Sequence, residues 1–270
     1  MFWRLFSIGT LLTIVSCRTV KTLTLPQSVS PMTASTFYRQ AAGYNWQQRD
    51  SLVVQDILSG SMPSFLKKLV PVSTTILDSA SGKRLTATFY VTPDYLSIGT
   101  DDDWARIPLT PMAAQRIADS LHCFLPTRKL VDAIYTAAAV KLEPMPMYAL
   151  RDSTPTMYQH HLIIEGQRQG RKGLIAGIKK DVVISGKINR DAKPHRVAIY
   201  GWHKPDGKPI QPLYTGHVDW YVDYSHGIRL VYEKVKVGKL WMDYTDLLND
   251  PKLRRLLCDE EYCDFHKYAY

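Results

Sequence analysis

The densest run of hydrogen-bonding side chains is residues 217–227, His-Val-Asp-Trp-Tyr-Val-Asp-Tyr-Ser-His-Gly. Written as a strand, its side chains alternate between two faces. His217, Asp219, Tyr221, Asp223 and Ser225 share one face; Val218, Trp220, Val222 and Tyr224 share the other. A sheet face turned only to water more often carries Lys, Glu and Thr. His217 and Asp219, two residues apart, are spaced to share a proton or a metal ion. His226 falls on the apolar parity, but a bulge at Gly227 would turn its imidazole back to the polar side. Such a set supports general-base catalysis, in which one His takes a proton from water or from Ser225 and an Asp holds its tautomer. A zinc version would draw on His203, His217 and His226, using two His and one Asp and leaving a position open for water. The competing reading is a wet sheet face with a Tyr/Asp/His hydrogen-bond network.

Other residues could feed this cluster. Tyr200-Gly201-Trp202-His203 ends a predicted strand, where sites collect. Lys179-Lys180-Asp181 interrupts an apolar strand, so one lysine of the pair must face inward. A buried lysine needs a carboxylate, for which Asp181 or Asp223 is placed; an edge strand guarded by charge is the alternative. His161 lies on the apolar stripe of its helix, more in keeping with a core histidine, and His160 beside it reads as surface. Asp101-Asp102-Asp103 makes calcium conceivable, but the spacing is not that of an EF-hand. Trp202, Trp220, Tyr221 and Tyr224 could instead form a sugar-binding surface. The sequence contains no G-x-S-x-G elbow, H-E-x-x-H pair, P-loop or G-x-G-x-x-G turn.

The elements that must position these residues follow from periodicity. Residues 51–69 read as two helical pieces broken by Gly60 and Pro63. Residues 70–98 are β-branched and aromatic around Ser81-Gly82, a hairpin signal. Thr110-Pro111, Pro126-Thr127 and Thr154-Pro155 each open a helix. Runs 174–185, 196–202, 217–236 and 239–244 read as strands, and 245–257 as a closing helix. Helices first and strands mostly later predict an α+β fold, a single domain with N-terminal helices and a largely antiparallel mixed sheet.

The first sixteen residues carry Arg4 and then an apolar stretch over 5–15, too short to span a bilayer as a helix but right for a signal peptide. Ile14-Val15-Ser16-Cys17 resembles the bacterial lipobox, which implies cleavage before Cys17 and lipid on its thiol. Residues 17–48 then read as a tether rich in Ser, Thr and Pro, and 49–270 as the domain. The predicted location is the cell envelope, outside the cytoplasm, held to the membrane by lipid. Cys123, Cys258 and Cys263 remain, an odd number in an oxidising compartment. One bridge among them, or three unpaired thiols, is consistent with the spacing. With 34 Lys and Arg against 25 Asp and Glu the charge is +9, spread without a basic run. That distribution argues against nucleic acid and suits an anionic envelope polymer or glycan.

Five strings, at 63–72, 90–103, 125–135, 200–213 (YGWHKPDGKPIQPL) and 221–231 (YVDYSHGIRLV), resemble a family of secreted proteins defined by sequence pattern. The resemblance implies a secreted single domain in which His203, His217 and Asp223-Tyr224-Ser225-His226 belong to the shared pattern. In that pattern a His often precedes Lys-Lys-Asp; Ile178 stands there in this chain, which speaks against a ligand at that position. Together these readings predict a hydrolase-like envelope lipoprotein with His203, His217, Asp219, Asp223, Ser225, His226 and Lys180 at its site. A non-enzymatic glycan- or peptide-binding lipoprotein is the alternative.

Overall fold

The computed structural model describes residues 21–78 and 82–270. Helices α1 (Ala34–Gln40), α2 (Trp46–Leu58) and α3 (Ser64–Lys67) lead into the hairpin β1 (Val70–Leu77) and β2 (Arg84–Val91). Short strands β3 (Ser97–Gly99) and β4 (Trp104–Arg106), helix α4 (Pro111–Ser120), β5 (Cys123–Phe124), α5 (Arg128–Ala137), β6 (Val140–Lys141) and α6 (Thr154–Arg168) follow. The second half holds β7 (Ile175–Ala176), β8 (Lys180–Val183), β9 (Arg196–His203), β10 (Pro209–Val218), β11 (His226–Gly227), β12 (Val231–Tyr232), β13 (Lys234–Val237), β14 (Leu240–Asp243) and α7 (Tyr244–Asn249). The fold is α+β in one domain, with mostly antiparallel pairing. The largest sheet runs β14-β13-β2-β12-β5 with β1 beside β2; a second runs β10-β9-β8-β11, parallel only between β8 and β11; β3 and β4 pair antiparallel and β6 and β7 parallel as two small separate sheets.

Helix starts follow the local chemistry. The side chains of Asn45, Thr110 and Thr127 cap α2, α4 and α5, each worth about 1 kcal/mol. For α6 the cap is Ser153, one residue before the Thr-Pro pair, so Thr154 is already helical. The closing helix predicted over 245–257 is cut at Pro251 into α7 and a 3-10 turn, Arg254–Leu256.

Three expectations about strands and segments need correction. The run 174–185 is not one strand. Gly177, at φ 104°, bends the chain between β7 and β8, and a Cβ there would collide with the Leu142 carbonyl oxygen. The run 217–236 stops as a strand at Val218 and resumes only at His226. The tether is also shorter than expected. Thr22 bridges to Lys68, and Leu23, Ala34, Phe37 and Tyr38 are buried in the main core, so the domain begins by residue 21 or 22 rather than 49. The apolar residues of 21–48 lie scattered at Leu23, Leu25, Phe37 and Tyr38; only tertiary packing assembles them. Of the three cysteines, Cys258 and Cys263 are bridged and Cys123 is a buried free thiol.

Charge is buried beneath the sheets. Asp94 receives Arg106 through Nε at 2.9 Å and Nη2 at 2.6 Å, with both side chains almost wholly buried. Arg106 also forms an ion pair with Glu165 at 2.8 Å, too poorly aligned to be a hydrogen bond. Removing Asp94 leaves the buried Arg106 with only the Glu165 pair and its Nε and Nη2 hydrogens unmet, so Asp94→Ala should cost about 3–5 kcal/mol in denaturant unfolding. Asp243→Ala, which breaks an exposed pair with Lys234, should barely move the midpoint. Equal effects of the two substitutions would contradict this account.

Candidate functional site

His217 sits one residue before the end of β10, paired with Val197 of β9. Two register shifts, between Gln211 and Tyr214 and between Tyr214 and His217, mark this strand as irregular just where it delivers the imidazole. Beyond Val218 the backbone leaves the sheet because Asp223 competes for it. Its Oδ1 accepts the Ser225 amide at 2.8 Å and the Ser225 hydroxyl at 2.5 Å, and its carbonyl accepts the His226 amide. This side-chain-to-backbone turn replaces the ladder of a strand. The expected alternation over 217–225 is therefore not realised. The chain rejoins the sheet as β11, where His226 pairs with Lys180 and the Lys180 amide donates to the Ser225 carbonyl at 2.7 Å.

Gly227 does not make a bulge. It permits close approach, since a Cβ would meet the Lys179 Cβ at 2.5 Å and the Tyr95 ring at 2.6 Å. His226 reaches the site because the Asp223 turn aims it there. The ring centroids of His217 and His226 are 6.0 Å apart, and Tyr221 lies 4.9 Å from the first and 6.0 Å from the second. Arg151 donates to Asp223 Oδ2 at 2.8 Å, and the Tyr221 hydroxyl approaches the same oxygen at 3.4 Å. Lys180 extends over the Trp202 ring, its Nζ 5.1 Å from the centroid. Asp223, Ser225, His226 and Lys180 are buried, His217 and Tyr221 half-buried, and Arg151 exposed. The cluster thus opens to solvent at His217, Tyr221 and Arg151.

Electrostatics divide the roles. Burial pushes His226 down to about 4, against the pull of Asp223 and with the push of His217 and Lys180. Burial also lowers His217, so both imidazoles are neutral at neutral pH. Burial alone would raise Asp223, but the His226 ring, the Ser225 hydroxyl and amide, and Lys180 hold it near 2 as a carboxylate. Lys180 is lowered by burial. With Arg151 and Lys180 charged, two cations face one carboxylate. His226 Nε2 is buried and, among the described residues, bonded to nothing.

Several expected members lie elsewhere. His203 Nε2 donates to Asp132 at 3.0 Å, and the ring stacks on Tyr135 at 4.4 Å and meets Tyr200, whose hydroxyl donates to the same Asp132 oxygen. On β9 it pairs with Pro209, six residues along from the Val197 that pairs with His217, or roughly 20 Å of strand. The three-histidine pocket is therefore a pair of histidines. Asp219 is paired with the exposed His195 at 3.3 Å, not with His217. Ser225 spends its hydroxyl proton on Asp223, so no Ser–His nucleophile is formed. Trp202 and Tyr224 are buried and Trp220 stands out beside His195, so the four aromatics do not line one groove. Among the described residues no three His, Cys, Asp or Glu side chains are placed to hold a metal together, which removes the zinc arrangement drawn from the sequence.

The remaining expectations resolve locally. Both lysines of the 179–180 pair face inward. Lys179 donates to the Tyr224 carbonyl and meets His160 Nδ1 at 3.2 Å, and burial, with Arg106 beside it, lowers it to about 7. His160, expected at the surface, is fully buried; His161 is the core residue expected, held edge-on to Trp104. Asp181 accepts from the Tyr95 hydroxyl at 3.0 Å rather than serving a lysine. Asp103 accepts from the Ser35 amide and hydroxyl, and Asp101 from the Ser64 amide, so these carboxylates close helix starts rather than a calcium site. Cys123 is raised by burial and by Glu233, as suits an inert thiol. Cys17 lies outside the described residues. Arg151 was missed by sequence reasoning, and it carries no local signal: an exposed Arg in a turn becomes a site residue only when the Asp223 loop lands beside it.

No family model matches the chain, nor does any curated protein or solved structure. The site must be read from its own geometry.

A buried imidazole held neutral in the folded state but free to protonate when unfolded makes stability depend on pH. The folded value of about 4 lies below the ordinary 6.5. The contribution is therefore complete above pH 6.5 and is lost as pH falls from 6.5 toward 4. Unfolding free energy should decline over that window in the wild type. His226→Gln should make that decline shallower, with His160, His161 and His217, also lowered by burial, keeping part of it, as measured by denaturant titration at fixed pH values.

Proposed function

We propose that this protein is a hydrolase of the cell envelope that activates water through His217. The observation that carries the reading is the His217–His226 pair. Two neutral imidazoles stand 6.0 Å apart beside a fixed carboxylate, one half-exposed and the other buried with a free ring nitrogen. A neutral imidazole at the mouth of a cluster is suited to take a proton from water. His226 supplies a fixed hydrogen-bonding nitrogen behind it, and Asp223 positions the loop that carries His226. Lys180 and Arg151 offer positive charge to an anionic group of the substrate or to charge developing on the attacked centre. That surplus favours an anionic polymer or glycan as substrate. A binding module built on stacked aromatics is less well supported, because Trp202 and Tyr224 are buried.

The test is release of soluble fragments from isolated cell-wall material and from anionic glycans. His217→Gln should lower the rate by about 10²–10⁴, the usual worth of a general base. The base works only when unprotonated, so activity should be flat through neutral pH and fall with acid below 6.5. Fragment release that is undiminished in His217→Gln would refute the role, as would an absence of any release by the wild type.

The envelope location rests on the signal-like N-terminus and on Cys17. Lipid on that thiol would hold the chain to the bilayer, with several acyl chains anchoring where one would not. Cys17→Ser should abolish labelling by a fatty-acid probe and move the protein from the membrane to the soluble fraction. Unchanged membrane retention would sink the lipoprotein reading while leaving the hydrolytic one untouched.

A further inference from the structure

The largest sheet buries one face of its strands β1, β2, β13 and β14 and leaves the other open. Val72, Thr74, Phe89 and Val235 point into the core, where Thr74 donates to the Leu256 carbonyl at 2.6 Å. On the outward face, register sets Ser73 beside Thr88, Thr88 beside Lys236, and Lys236 beside Trp241, with Pro71 beside Tyr90. Alternation along each strand leaves these side chains largely to solvent. Uncharged hydroxyls fill the middle: Ser73 and Thr88 share a hydrogen bond at 3.0 Å, and Thr75 and Thr86 one at 3.2 Å.

One end of this face is aromatic and basic. Tyr90 and Trp241 stack with their ring centroids 5.8 Å apart. Lys21 lies across the group, its Nζ 4.7 Å from the Trp241 centroid and 5.2 Å from that of Tyr232. Trp241 is still 44% exposed. Asp243, the one carboxylate at the outward positions of these four strands, is held by Lys234 at 2.7 Å. Lys21, Lys236 and Lys239 form no ion pair among the described residues, and the last two are exposed. The chain also enters the fold here: Lys21 is the first described residue, and its carbonyl accepts the Leu69 amide at 2.8 Å. Cys17 precedes it by four residue steps, at most about 14 Å.

We propose that this face docks on a bilayer bearing anionic headgroups, with Trp241 and Tyr90 in the interfacial layer and Lys21, Lys236 and Lys239 against the headgroups. Indole and phenol rings favour that layer because it serves an apolar body and a polar edge together. The lysine stem lies on apolar rings while its ammonium reaches outward, and each such cation adds to the attraction of an anionic surface. The hydroxyl middle of the face brings no charge to oppose it. The nearness of the bilayer rests on the lipoprotein reading, since lipid on Cys17 would bring the membrane within reach of the aromatic end. The contact is peripheral and screened by salt, so it orients the domain while the lipid retains it.

The experiment is cosedimentation of residues 18–270 with vesicles. That chain keeps every described residue of the domain and lacks both the apolar stretch 5–15 and Cys17, so neither contributes to binding. Vesicles of equal parts phosphatidylglycerol and phosphatidylcholine should bind it at low salt, and phosphatidylcholine alone at least tenfold more weakly. Trp241→Ala and the double substitution Lys21→Glu with Lys236→Glu should each weaken binding about tenfold. Trp220→Ala, at an indole equally exposed but beside His195, should change it less than twofold. No binding, equal binding to both vesicles, or binding unchanged in either variant would each overturn the proposal. A dimer in solution that Trp241→Ala breaks would assign the face to a second copy and overturn it as well. Should Trp241→Ala fail to fold, the lysine reversals decide the matter. Absent vesicle binding with Cys17 still lipid-labelled in the full chain strikes the docking face alone; vesicle binding with Cys17 unlabelled strikes the lipoprotein reading alone.

Discussion

Three consecutive ionisable residues, Lys179, Lys180 and Asp181, enter the interior on or beside β8, and much of the second half of the chain is arranged to receive them. Buried charge must find partners or lose its charge. Lys179 takes the Tyr224 carbonyl and His160 of α6; Asp181 takes Tyr95, with Arg229 at 3.8 Å; Lys180 turns the other way, toward Trp202 and the field of Asp223. Each partner is a constraint on a different segment. The Tyr224 carbonyl cannot serve Lys179 unless the 219–225 loop passes directly over β8, and that loop is what brings Asp223, Ser225 and His226 into place. The site is thus a by-product of satisfying one strand's charge.

The same constraint sets the protonation states. Lysines at 179 and 180 push against any further positive charge nearby, and burial adds to the push, so His226 and His217 stay neutral. Asp223 answers with the one carboxylate in their midst, and it is fully occupied: Ser225 takes one oxygen, Arg151 and Tyr221 the other. An occupied carboxylate cannot also orient an imidazole directly. Its contribution to the histidines is therefore field and loop geometry, unlike an Asp–His pair in which the carboxylate bonds the ring.

How much of this could be read from the residues varies with range. Helix starts at Thr110 and Thr127 and the hairpin at 70–91 are local, and local chemistry fixed them. The string from His217 to His226 was legible as a place of concentrated chemistry, but for the wrong reason. Strand alternation requires an unbroken ladder, whereas Asp223 uses its side chain to break it, and a one-residue change of backbone state re-sorts every side chain after it. His203 at the end of one predicted strand and His217 at the start of another are not separable in space from sequence; register places them at opposite ends of the same pairing, beside different carboxylates. His160 could not be told from His161 because the buried lysine that draws it inward lies nineteen residues away. Arg151 owes its position to a contact made across the fold.

The early packing of the N-terminal segment bears on where a lipid-held enzyme could work. A tether over residues 17–48 would behave as a flexible coil with an end-to-end distance of roughly 30 Å and a much longer reach. With Thr22 bridged to Lys68 and Leu23 in the core, only three residues separate Cys17 from the first described residue, a span of four residue steps and at most about 14 Å when fully extended. A chain anchored at Cys17 would then ride against the bilayer surface instead of sampling the space above it. Substrate would have to come to it within about one domain's breadth of the membrane. That favours polymers rooted at or threaded along the bilayer face over distant layers of the envelope. An anionic polymer and anionic lipid headgroups would both attract the cations of the site, Arg151 and Lys180. Discrimination between polymer and lipid would therefore have to come from the shape of the opening at His217 and Tyr221, because charge alone attracts both.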